Sequence, residues 1–109
     1  MALIHEDDVA ASQHSDRWST DLIGGEAVPT TSGFSLGVAE YHATEFGPFQ
    51  VHEDQEAVYV VSGEGEMSRD GEILPLRPGV AIYVGAGVAH AVRRTGDANV
   101  KVVYAHGPV

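Results

Sequence analysis

The chain has 109 residues, a formal net charge of −10 and no cysteine. That length allows one compact domain and one site, and the lack of cysteine excludes a disulfide framework, a thiolate metal centre and a cysteine nucleophile. Phosphate-backbone binding needs clustered Lys and Arg, so nucleic acid and anionic membranes are not expected partners. No membrane-length apolar run and no basic-then-apolar leader occurs, which predicts a cytoplasmic protein.

Residues 1–20 are polar and lack sustained periodicity, so they read as an N-terminal arm, with Asp8 before Val-Ala-Ala placed to cap one short helix. Residues 21–109 form the single folded domain. From Phe34 the texture changes to short runs of Val, Ile, Tyr and Phe separated by Gly, Pro and Asp, an all-β pattern. It predicts strands over 34–42, 49–52, 56–61, 64–68, 72–76, 80–84, 89–94 and 100–106. Asp70-Gly71 is a two-residue hairpin turn, because both residues tolerate the positive φ that such a turn requires. Eight short strands in so small a chain leave costly edges unless the sheet closes or doubles, which predicts a barrel or two-sheet jelly roll. Charge is divided unevenly. Residues 1–66 hold 13 acids against Arg17 alone, whereas residues 67–109 hold 3 acids and 5 bases, so the second half has room for an anion.

Chemistry concentrates between Gly47 and Gly63. Residues two apart on a strand share a face, so Gln50 and His52 project together, and a tight return through residues 53–55 brings Glu56 beside them. His90, after a glycine-rich turn, adds a second imidazole. Two histidines and one carboxylate with open positions form a site for a divalent ion: Fe, Mn, Ni, Co or Zn. By the same parity Val58 and Val60 share the face of Glu56, and Val92 and Arg94 that of His90, making an apolar wall with one guanidinium. In the last strand Val100, Val102, Tyr104 and His106 form the inward set. Tyr104 and His106 are therefore candidate acid–base groups beside His52, Glu56 and His90. His5, His14 and His42 receive no role. No Gly-x-Ser-x-Gly elbow is present, so serine-type catalysis has no support.

These two stretches resemble the paired motifs of the cupin superfamily, G-x5-H-x-H-x(3,4)-E-x6-G and G-x5-P-x-G-x2-H-x3-N. His52, Glu56 and Gly63 match the first, with Gln50 where its first histidine would stand and Gly47 nearer than the pattern asks. Gly79, Gly87 and His90 match the second, with Gly85 in place of proline and Arg94 in place of asparagine. The resemblance covers residues 34–106 and implies a single-domain double-stranded β-helix, the jelly-roll barrel. It further implies that His52, Glu56 and His90 are metal ligands, with Gln50 a weaker fourth. Two function classes follow. One is a metalloenzyme acting on a small enol, aromatic or sugar-derived substrate by dioxygenase-type or isomerase/cyclase-type chemistry; the other is a non-catalytic module binding a small ligand or sugar. Barrels of this size pair readily, which predicts a homodimer.

Overall fold

Strand formation begins earlier than the apolar pattern predicts. The computed structural model describes residues 2–109, and nine antiparallel strands organise them: β1 (Ser12–Gln13), β2 (Arg17–Ile23), β3 (Ser35–Tyr41), β4 (Gln55–Ser62), β5 (Gly65–Arg69), β6 (Glu72–Leu76), β7 (Ala81–Val84), β8 (His90–Arg94) and β9 (Val100–Gly107). Residues 12–20, which read as part of a polar arm, therefore carry β1 and most of β2. The reason is chemical. The inward residues of β2 are Arg17, Ser19 and Asp21, which line a cavity rather than the core, so the strand lacks the apolar alternation that marks a half-buried strand. The short helix is also displaced: one 3-10 turn covers Glu6–Asp8, capped by His5, and Asp8 closes the cap by accepting from the His5 N–H at 3.0 Å.

The strands form two sheets, β1-β2-β3-β9-β4-β7 and β6-β5-β8. Together they make the expected all-β jelly-roll barrel. Between them lies a core of Ala39, Tyr41, Val58, Val60, Met67, Leu76, Ile82, Val84, Val92, Val100 and Val102. The Asp70-Gly71 turn joins β5 to β6 with φ of 50° and 82°, the left-handed geometry that a two-residue hairpin demands. The expected strand over 49–52 is absent. Only Gln50 pairs there, exchanging both backbone hydrogen bonds with His90 at 2.8 and 3.0 Å, while Pro48 has no N–H to offer and Phe49 and Val51 are exposed. That single bridge, with the Gly87 N–H donating to the His52 carbonyl at 2.7 Å, pins the residue 47–54 loop across the barrel mouth.

Candidate metal centre

Glu56 and His106 are direct cross-strand partners of β4 and β9, so their side chains project side by side into the barrel. His106 Nε2 lies 3.4 Å from Glu56 Oε2. The pinned loop adds His52, with Nε2 3.8 Å from Glu56 Oε1, and β8 adds His90, with Nε2 3.1 Å from the same oxygen. The His52 ring centroid is 5.3 Å from that of His90 and 5.0 Å from that of His106. Three imidazoles thus surround one carboxylate. His52, Glu56 and His106 place ligand atoms all within 4.8 Å of one another.

The free lone pairs face the middle of this group. His90 Nδ1 donates to the Val88 carbonyl at 3.0 Å, and His106 Nδ1 donates to Asp54 Oδ1 at 3.1 Å. Each bond puts the ring proton on Nδ1 and leaves Nε2 as an acceptor, the orientation a metal-binding histidine needs. His90 Nε2 and Glu56 Oε1 are then two acceptors at contact distance, which only a proton or a cation between them makes favourable. His52 Nε2 and Glu56 Oε1 are buried and have no hydrogen-bond partner among the described residues. Such orphans cost about 1–3 kcal/mol each, and a divalent cation would satisfy both. The donor set of imidazole nitrogens and one carboxylate fits a first-row divalent ion.

Protonation separates the His52 and His90 rings. Burial, the largest influence, pulls the His52 imidazole below its ordinary range and outweighs the attraction of Glu56. The ring is therefore neutral near pH 7 and able to ligate. At His90 burial also opposes charge, but the contacts with Glu56 and Val88 together prevail and raise its proton affinity, so a proton and a cation compete for the space between His90 Nε2 and Glu56 Oε1. Tyr104 is held above the usual phenol range, first by burial and then by its hydrogen bond to Asp21, so it keeps its proton. Burial pushes Tyr41 up to about 12.

The cavity above this group measures about 260 Å3, near the lower end of small-ligand pockets at about 300–1,000 Å3. Gln50, Val58, Val92 and Tyr104 line it as parity suggests, and Gln50 sits beside the Tyr41 hydroxyl. Two expected wall residues lie elsewhere. Val60 is fully buried in the core below the cavity, because parity fixes the face but not the depth. Arg94 turns away: its guanidinium donates to the His42 and Gly96 carbonyls at 2.9 and 2.7 Å. Nor do Arg69, Arg93 and Lys101 supply the anion site expected of the second half, since they pair with Glu72, Glu66 and Glu6. The cavity's cation is Arg17, from the acidic half.

Sequence reasoning misses Arg17, Asp21 and the mouth residue His14, all on or before β2. The signal is Gly37. It lies between Asp21 and Tyr104 in the register of β2, β3 and β9, and a Cβ at residue 37 would overlap the Tyr104 ring. A missing side chain on the central strand lets the Tyr104 hydroxyl cross it and donate to Asp21 Oδ1 at 2.7 Å.

A family model described as a cupin domain matches residues 37–106. The chain is a cupin. Protein SchB of Streptomyces halstedii is 32% identical over 104 residues, spanning 94% of this cupin and 75% of that protein. Polyketide synthase CurC of Streptomyces cyaneus is 34% identical over 93 residues, or 81% of this chain, which spans 57% of CurC. Among solved structures, the polyketide cyclase RemF from Streptomyces resistomycificus superposes with a TM-score of 0.78 at 22% identity, covering 97% of this chain and 79% of that one. That last likeness speaks for the fold. Among the described residues no helix is long and apolar enough to cross a membrane.

Proposed function

We propose that this cupin is a metal-dependent enzyme that moves protons on a small enolisable carbonyl compound, in a cyclisation or isomerisation without net oxidation. The observation that carries the reading is the pair of buried, unpartnered ligand atoms, His52 Nε2 and Glu56 Oε1, facing two further imidazoles whose outer nitrogens are already bonded. His52, Glu56, His90 and His106 would hold the ion, with the amide of Gln50 as a weaker neighbour. A divalent ion held there supplies a Lewis acid for a carbonyl or enolate oxygen. His106, which strand parity offers as an acid or base, is in this account a ligand, because its Nε2 faces Glu56.

Proton transfer falls to the hydrogen-bonded pair of Tyr104 and Asp21. The Tyr104 hydroxyl is protonated, lines the cavity and bonds to Asp21, whose exposed carboxylate connects the site to solvent. The Asp21 carboxylate, which also lines the cavity, can take the proton leaving the carbon next to the carbonyl while the Tyr104 hydroxyl turns its hydrogen bond to the developing oxyanion, and Asp21 then returns that proton to the product or exchanges it with solvent. Val58, Met67, Val92 and Val102 form the apolar part of the wall, which suits a ring or a short carbon skeleton. The names of the relatives, a polyketide synthase and a polyketide cyclase, favour this non-oxidative chemistry over the dioxygenase type.

Small aryl ketones and β-diketones incubated in heavy water with the zinc- or manganese-bearing protein test the reading by NMR. Deuterium should enter the carbon next to the carbonyl, with no dioxygen consumed, and Tyr104→Phe should slow exchange by about 10²-fold or more. Dioxygen uptake without exchange would transfer the protein to the dioxygenase class. Neither activity, with metal content confirmed, would leave the ligand-binding module.

The proposal includes a homodimer in the cytoplasm with no nucleic-acid partner. Tyr59, Val61 and Tyr83 are 49%, 45% and 58% exposed on the paired strands β4 and β7, an apolar sheet face of the kind that pairs. Light scattering should give twice 11.5 kDa at micromolar concentration, and Tyr59→Glu should give the monomer. A wild-type monomer would refute the pairing.

A further inference from the structure

Among the described residues Arg17 is the one Lys or Arg in the cavity wall. Its surroundings are built rather than incidental. Nη1 donates to Asp16 Oδ1 at 2.9 Å, and the two side chains are 17% and 2% exposed. Asp16 is itself fixed. Its backbone carbonyl accepts from the N–H groups of His42 and Ala43 at 3.1 and 3.4 Å, and Gly47 packs so closely on it that a Cβ there would come within 2.8 Å of the Asp16 Cβ. On its other side the guanidinium lies 6.0 Å from the Tyr41 ring centroid, at the outer limit of a cation–π contact.

A guanidinium carries five N–H donors in a rigid fork. Asp16 is its one hydrogen-bond partner among the described residues, so donors remain unfilled on a side chain that is largely removed from solvent. Arg17 shares the cavity wall with Tyr41, His90 and Tyr104. An Arg serving only a structural ion pair needs neither the cavity wall nor the spare donors. Planar, fixed and partly unsatisfied, it matches an oxyanion, above all a carboxylate.

We infer that Arg17, held in place by Asp16, binds a carboxylate of the substrate, so that the ligand is a small keto acid with its carboxylate on Arg17 and its carbonyl oxygen towards the group around Glu56. The inference deepens the functional reading above and rests on it for the carbonyl end. Arg17 then sets specificity: it selects the acid over neutral esters and fixes which carbonyl faces the imidazoles.

Calorimetric titration with 4-oxo-4-phenylbutanoate and its methyl ester tests this on the protein as purified, with metal content measured on the same samples. Wild type should bind the acid about tenfold or more tighter than the ester. Arg17→Gln should erase that preference while leaving ester affinity within about twofold and metal content unchanged, and Arg17→Lys should retain part of it. Equal affinity of wild type for acid and ester, no binding of either at millimolar concentration, or a preference that survives in Arg17→Gln would each overturn the inference. The last result would place the carboxylate on the metal. Parallel loss of acid and ester binding in both variants would assign Arg17 to the fold alone, which also overturns it. An absence of metal in every sample, with the Arg17-dependent preference intact, would instead count against the metal reading.

Discussion

Glu56→Gln is expected to cut divalent-metal content by at least about tenfold while leaving the metal-free protein as stable as wild type or more so, by up to about 1–3 kcal/mol. Both effects come from the same atom. Glu56 Oε1 is buried without a hydrogen-bond partner and faces imidazole nitrogens that present lone pairs. A carboxylate there suits a cation and little else, whereas an amide offers N–H donors to those nitrogens and removes a buried charge. His52→Ala and His90→Ala should also lower metal content sharply. Gln50→Ala should lower it less, because a neutral amide oxygen is the weaker donor. Elemental analysis and thermal melts check the set. Retained metal in Glu56→Gln, or a sharp loss of metal-free stability, would mean that the carboxylate serves the fold instead.

Gly63→Ala is expected to destabilise the protein by about 2–5 kcal/mol, lowering the melting temperature by at least about 10 °C. Gly63 has φ of +82°, and a Cβ there would run into the Asn99 carbonyl, with the Asn99 C and Val100 Cα each 2.9 Å away. The obstacle is backbone, so no rotamer change relieves it. It also lies where β4 leaves its pairing with β9, just past the register shift between Val60 and Ser62, so local repacking would disturb the strand that carries Glu56. Gly71, with the same φ of +82° but nothing within 4 Å of where a Cβ would sit, is the control. Gly71→Ala should cost only the conformational part, about 1–2 kcal/mol. Equal losses at the two positions would show that the close approach to Asn99 does not matter.

Much of the barrel is legible because its code is local. Asp70-Gly71 specifies its turn chemically, alternation marks β4 and β9, and His52, Glu56, Gly63 and His90 fall at the spacings of a known motif pair. Parity also puts His106 and Tyr104 on the inner face. What parity does not carry is depth or convergence, which is why it misplaces Val60 in the wall and Arg94 in the pocket. Those assignments depend on sheet curvature and on which carbonyls happen to lie near a guanidinium. β2 escapes for the opposite reason. Its inner residues serve a polar cavity, so the strand looks like solvated chain, and Arg17, Asp21 and the room made by Gly37 become visible only once β2, β3 and β9 lie side by side.

His52, Glu56, His90 and His106 are expected to hold one divalent ion together. Crystals of protein purified without a histidine tag, measured above and below the absorption edge of whatever metal elemental analysis finds, test it most directly. One anomalous peak per chain is expected, bonded to Glu56 and to the Nε2 atoms of the three histidines at about 2.0–2.2 Å. A fully loaded sample with its peak elsewhere, or a site in which those nitrogens hydrogen-bond to water and no metal is bound, would contradict it.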